Sequence, residues 1–130
     1  PANPTGLVHE NYGNRQYRTF LKMGNFSRPG PSMTWVFLDE HPDSINDGLF
    51  GMYMPNRTAY GTGAAAWDDV PASYHNRACG FSFADGHAEI KKWQDANTIA
   101  PVLKTSPSSA TGKTSPRDHL WMNLRTTAPK

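Results

Sequence analysis

The chain has a single cysteine, Cys79, so it holds no internal disulfide and no zinc site built on paired cysteines. Long apolar runs are missing as well: the longest stretch of strongly apolar residues is Trp35 to Leu38, far below the roughly 20 that span a bilayer. Charge of one sign does not dominate either. The 13 basic and 11 acidic residues leave a formal charge of +2. The basic residues are scattered, not clustered with interleaved aromatics, which argues against nucleic acid as a partner. Glycine and proline are plentiful, 11 of each in 130 residues, with a hydrophobic share of 37% and 12% aromatics. That is material for one core and many turns, and so for a single domain over 1–130.

The most informative stretch runs Tyr74-His75-Asn76-Arg77-Ala78-Cys79-Gly80-Phe81-Ser82-Phe83-Ala84-Asp85-Gly86-His87. An Asp-Gly pair inside apolar alternation signals a β-hairpin, because a two-residue type I′ loop needs positive φ at both central positions. With Asp85 and Gly86 as the loop, Ala84 faces His87, Phe83 faces Ala88, Ser82 faces Glu89 and Phe81 faces Ile90. One face then collects Phe81, Phe83, Ala88 and Ile90, whereas a one-residue slip would set both phenylalanines among charges.

The same residues carry a resemblance. His75 followed by Asp85-Gly86, within Phe-Ser-Phe-Ala-Asp-Gly-His, resembles the C-terminal signature of the prepilin-type processing-associated proteins, in the type IV pilin and type II secretion pseudopilin group. Three further segments resemble that family in the same order: Pro31 to His41, Trp67 to Ser73, and Asp118-His119-Leu120-Trp121. The resemblance covers most of the chain from Tyr17 onward. It implies an exported, membrane-anchored structural subunit whose partners are other pilin-like subunits or secretion machinery. Members of the family begin with a basic leader and a long apolar anchor helix, and neither is in this sequence. The chain is therefore expected to be a soluble head domain cut from a longer protein, extracytoplasmic, and tied to the membrane only through a helix outside the sequence in hand.

Elsewhere the pattern is mixed. A short helix is expected over 16–22, and Pro29, Gly30 and Pro31 break any helix beyond it. Residues 33–40 form the clearest strand. Apolar residues on both of its faces suggest a central position. A second strand over 48–54 would pair with it through a long loop, while 56–66 reads as irregular. Residues 105–116, all Ser, Thr, Pro, Ala, Gly and Lys, read as an exposed loop. A closing helix over 117–125 places Leu120, Trp121 and Leu124 at helical spacing, with Ser115 or Asp118 as caps.

The expected fold is thus α+β: an antiparallel sheet of about four strands with one or two short helices, head-like in the pseudopilin sense. For chemistry, the loop Asp39-Glu40-His41-Pro42-Asp43-Ser44-Ile45-Asn46-Asp47-Gly48 is the best constellation. Asp39, Glu40, Asp43, Asn46 and Asp47 offer oxygen ligands to a calcium ion. The loop is no EF-hand, and a solvated acidic loop whose side chains cap turns is the stronger of the two readings. His41 and His87 read as surface or turn residues rather than metal ligands.

His75 and Asp85 invite an acid-base pair, yet an extended strand between them holds them more than about 15 Å apart. His75 then fixes the leading turn, and Asp85 and Gly86 supply the closing one. Cys79 reads as a packing residue. No His-Glu-x-x-His spacing and no nucleophile with a local base is present, so an enzyme is not expected. The alternative to a structural subunit is an extracytoplasmic binding module, with Tyr60, Trp67 and Tyr74 as an aromatic platform for a glycan or peptide. An uncovered sheet face would also let the isolated piece self-associate.

Overall fold

The computed structural model describes residues 17–52 and 65–128. Tyr60, the end of the expected 48–54 strand and most of the 56–66 stretch lie outside the described residues. A three-stranded antiparallel sheet organises the rest, built from β1 (Trp35–Leu38), β2 (Ala78–Phe83) and β3 (Ala88–Lys92) in the order β1-β2-β3. One helix, α1 (Pro116–Asn123), closes the fold. Short 3-10 turns cover Met23–Asn25, Pro31–Met33 and Ala96–Thr98. The coarse α+β class therefore holds.

The strand expected to be central, β1, is an edge, and β2 is the middle strand. β1 is apolar on both sides because a bulge at Val36 breaks its alternation: Trp35 pairs with Phe83, Phe37 with Ser82 and Leu38 with Phe81. Trp35 and Leu38 thereby turn to the core while Phe37 turns to solvent. Residues 48–52 are irregular, so the expected second hairpin does not form from them. The free edge of β1 meets the C-terminal segment instead, where Trp35 N–H donates to the Arg125 carbonyl (3.2 Å) and its indole donates to Thr126 (3.0 Å). No helix forms over 17–22.

The β2–β3 hairpin is present, but its register is one residue from that expected. Ser82 pairs with Ala88, Phe81 with Glu89 and Gly80 with Ile90. The loop has three residues, Ala84, Asp85 and Gly86. Gly86 N–H returns to the Phe83 carbonyl (2.9 Å), and Phe83 N–H donates to the His87 carbonyl (2.9 Å). Gly86 has φ +94°, the left-handed position that follows a type I turn in a three-residue hairpin. Asp-Gly serves this loop as well as the two-residue one, and side-chain packing selects between them. The His87 ring stacks on Phe83 at 4.4 Å, and the Lys91 ammonium lies 5.4 Å from the Trp121 ring. Polar side chains with flat or long apolar bodies cover the aromatic face, and Ile90 is left on the other side.

The core lies under that aromatic face. Trp35, Trp67, Val70, Ala72, Cys79, Phe81, Phe83, Trp93, Ala110 and Met122 form one buried cluster. Phe81 sits edge-on to both Trp93 (6.0 Å) and Trp121 (5.1 Å), and Trp67 to Trp93 (6.2 Å). Beyond β1 the chain continues against 70–72: His41 N–H donates to the Val70 carbonyl (2.9 Å) and Ala72 N–H to that of Asp39 (2.8 Å).

Residues 105–116 are exposed only in part. Ser108, Ala110 and Ser115 are buried, and Gly112 N–H donates to the Trp67 carbonyl (2.8 Å). Helix α1 also departs from its expected orientation. Trp121 packs against the core, but Leu120 and Leu124 face solvent, and the buried face carries Asp118, His119, Met122 and Asn123.

Candidate functional site

The signature residues divide into two separate clusters on the sheet. At one end, His75 lies in a turn closed by Arg77 N–H to the Ser73 carbonyl (3.0 Å), with Asn76 and Arg77 both at positive φ. Its Nε2 stands 3.2 Å from the Asp39 carboxylate. That carboxylate reaches across Gly80: a Cβ built there would meet Asp39 Oδ2 at 3.0 Å. Glycine at 80 is the residue that leaves room for the Asp39–His75 pair on the solvent side of the sheet.

At the other end, Asp85 accepts from His87 N–H (3.1 Å) and pairs with the His87 ring, whose far nitrogen meets Glu89 (3.1 Å). The Asp85 hydrogen bond, then that of Glu89, raises the His87 pKa, and the same contact lowers that of Asp85. His75 and Asp85 thus have different partners and share no cleft.

The expected calcium ligands also disperse. Asp39 is committed to His75. Asp43 is buried and accepts from Leu103 N–H (2.7 Å). Asp47 caps its own turn through Leu49 N–H (2.7 Å), and Asn46 is exposed. Glu40 turns inward. Among the described residues no group of three or more His, Cys, Asp or Glu could hold a metal ion. The five side chains thus do not gather at one point: Asp39 faces His75, Asp43 and Asp47 accept from backbone amides, Asn46 is exposed and Glu40 turns inward.

Glu40 nevertheless has an unusual environment. Burial pushes its pKa up to about 7, helped by the charges of Asp69 and Asp47 and opposed by a hydrogen bond from Ser44. Its Oε1 has no hydrogen-bond partner. Asp69 is raised by burial too, against the opposing bond from Gly51 N–H.

His41 is not at the surface. It is fully buried, with Nε2 at the Ala100 carbonyl (3.2 Å) and Nδ1 accepting from Asp43 N–H (3.2 Å), so neither nitrogen is left for a metal. Of the aromatic platform, Trp67 is fully buried, Tyr74 is exposed against His75, and Tyr60 lies outside the described residues. Cys79 is buried and its thiol is pushed up to about 12 by burial, so it packs and does not react.

Two features escaped sequence reasoning. The first is a carboxylate exchange between the 94–95 segment and α1. Asp118 accepts from the N–H groups of Gln94 (3.0 Å) and Asp95 (2.8 Å). Asp95 in return accepts from the N–H groups of Arg117 (2.8 Å) and Asp118 (3.0 Å) and from Arg117 Nε (2.7 Å). Burial pushes the Asp95 pKa up, but these bonds outweigh it and the net shift is downward. The helix is therefore capped by a residue some twenty positions away; the Ser115 hydroxyl, at the N-cap position, makes no capping bond. Nothing local in the sequence marks that partnership.

The second is the solvent face of the sheet. Phe37 and Ile90 are 74% and 77% exposed there, beside exposed Ala88. A one-residue register change is what put Ile90 on this side. No protein-family model matches the chain, and searches of curated proteins and of solved structures give no match either.

Proposed function

We propose that this chain is the structural, non-enzymatic head domain of a pilin-like or pseudopilin-like subunit. It would be displayed outside the cytoplasmic membrane in a type II secretion or type IV pilus-like assembly. The observation that carries the reading is the solvent face of the sheet, where two large apolar side chains, Phe37 and Ile90, stand uncovered. The solvated face of an antiparallel sheet ordinarily carries polar side chains, so large apolar ones standing there favour contact with another surface. In the subunit architecture proposed here, that surface is an apolar helix or a neighbouring subunit.

The roles of the signature residues agree with scaffolding. His75, Asp39 and Gly80 set the position of one turn, Asp85, Gly86 and His87 shape the other, and Asp118 ties α1 to the chain after β3. Each is used up in a structural contact. The glycan-platform alternative is left with Tyr60 and Tyr74, since Trp67 is in the core.

Site-directed cross-linking in a producing bacterium tests the proposal. Cysteine placed at 37 or 90 in the natural full-length protein, in a Cys79→Ser background, should form a cross-link to an apolar helix or to a neighbouring pilin-like subunit. A gene with no apolar segment upstream of this region, or both cysteines freely labelled by a soluble maleimide in intact assemblies, would overturn it.

A further inference from the structure

β3 ends the sheet on the side away from β1, and its outer edge is open. Ala88, Glu89, Ile90 and Lys92 are exposed and Lys91 is half-buried. The bonds that flank the β2–β3 ladder fix which backbone groups face that edge. Phe83 N–H donates to the His87 carbonyl and Trp93 N–H to that of Arg77, both at 2.9 Å. Hydrogen-bonded pairs alternate along an antiparallel ladder, so Glu89 and Lys91 turn their amides and carbonyls to β2, and Ala88, Ile90 and Lys92 turn theirs outward. Among the described residues no strand lies along this edge.

The two edges of the sheet differ. β1 carries a bulge and meets the C-terminal segment at Trp35, two devices that keep an edge from pairing with another chain. β3 has neither bulge nor proline, and its register with β2 is unbroken. Its charged residues would protect the edge if they repelled a second strand, but their order does the opposite. With a second β3 laid antiparallel, related by a two-fold axis perpendicular to the sheet at Ile90, Ile90 meets Ile90 and Ala88 meets Lys92, and each of these pairs exchanges both its backbone bonds. Glu89 of each copy then stands opposite Lys91 of the other, in the non-hydrogen-bonded positions where side chains come closest. An axis moved to residue 89 would set glutamate against glutamate, and one moved to residue 91 would set lysine against lysine. Charge therefore selects the register that uses the whole strand.

We infer that the outer edge of β3 is an interaction surface for a second copy of this chain, pairing β3 with β3 about Ile90 and joining the two three-stranded sheets into one. The inference goes beyond the reading of the apolar face, since it rests on the open edge and on the order of its charges. A two-fold perpendicular to the sheet also keeps both solvent faces on one side, so Phe37 and Ile90 of the two copies lie on a continuous surface. The contact is one short strand from each copy, well below a standard interface of about 1,600 Å². The dimer is therefore weak and forms as concentration rises.

Charge exchange tests this by sedimentation velocity on the whole chain, with circular dichroism confirming that each variant folds as the parent does. Glu89→Lys alone and Lys91→Glu alone each set like charges opposite one another on both sides of the axis, and should weaken dimerisation about tenfold or more. An equimolar mixture of these two variants regains both opposite-charge contacts and should dimerise as the parent does, as should the double exchange. A second measurement needs no variant: in the parent, the amides of Ala88, Ile90 and Lys92 should exchange with deuterium more slowly as concentration rises. A parent that is monomeric throughout, single variants that dimerise as well as the parent, a mixture that stays monomeric, or edge amides left unprotected in the dimer would each overturn the inference. Association that ignores both charge changes but is lost in Phe37→Ser would mean that the copies meet face to face, which rejects the edge pairing and leaves the reading of the apolar face standing.

Discussion

The Asp39 carboxylate lies 3.0 Å from the point where a Cβ would stand on Gly80, and the same carboxylate meets His75 at 3.2 Å. A Cβ at 80 therefore requires the half-exposed acid to give by a few tenths of an ångström, which disturbs its pair with His75. Gly80→Ala is expected to destabilise the chain by up to about 1 kcal/mol in urea unfolding, below the cost of overfilling a closed core because the carboxylate can move toward solvent. In an Asp39→Ala background the same change should cost much less. Equal costs in the two backgrounds would show that the clash is not with Asp39.

Glu40 gives the fold a pH dependence of known sign. Its folded pKa, about 7, is above the ordinary 4.5, so the folded state holds the proton more tightly than the unfolded one between those values. The Glu40 contribution should accordingly fall as pH rises from about 4.5 to 7, and level off above. Glu40→Gln should remove that slope and stabilise the chain above pH 7 by on the order of 1–2 kcal/mol, after discounting for solvent screening. Paired denaturation curves from pH 4.5 to 8 check this.

His87 acts in the same direction at a separate place. Its pKa is raised by Asp85 and then by Glu89, so its contribution is complete below about 6.5 and disappears as pH rises through the folded value. Titration of its ring protons by NMR should give a midpoint above the ordinary histidine value. Asp85→Asn should bring that midpoint down, and added salt should narrow the difference.

Asp118→Ala removes the acceptor for two backbone amides, that of Asp95, which is buried, and that of Gln94, which is partly so. A loss of about 2–4 kcal/mol is expected from the stranded donors, with Asp118→Asn milder because it keeps one acceptor oxygen. Far-ultraviolet circular dichroism should show the helical signal falling together with the global transition.

Replacing the open apolar pair should have the reverse profile. Phe37→Ser with Ile90→Ser is expected to leave stability within about 0.5 kcal/mol per site, since neither side chain is in the core. Sedimentation velocity should show the parent chain associating with rising concentration and the double variant remaining monomeric. A parent chain that stays monomeric throughout would count against the uncovered face as a contact surface.

Much of the framework was legible in the sequence because its signals are local. Asp85-Gly86 announces a bend, the run from Trp35 to Leu38 announces a strand, and the spacing around Trp121 announces a closing helix. The errors came where two local solutions share one sequence, or where the partner is far along the chain. Asp-Gly fits a two-residue and a three-residue loop, and stacking of His87 on Phe83 decides between them. The acidic loop could be read as turn caps, as Asp47 is, but Leu103, which takes Asp43, and Asp69, which confronts Glu40, cannot be seen from its own residues. Position β1 was misjudged because a bulge imitates the apolar pattern of a strand covered on both faces.

The exchange of carboxylates between Asp95 and Asp118 bears on the order of folding. An eight-residue helix is too short to persist alone in water, and this one lacks a cap of its own. A peptide cut to cover only 114–126 should therefore be a random coil. During refolding, α1 should gain amide protection no earlier than the β2–β3 hairpin, whose trailing strand must first bring residues 94 and 95 within reach. The C-terminal segment lying along β1 would then be among the last parts of the chain to settle.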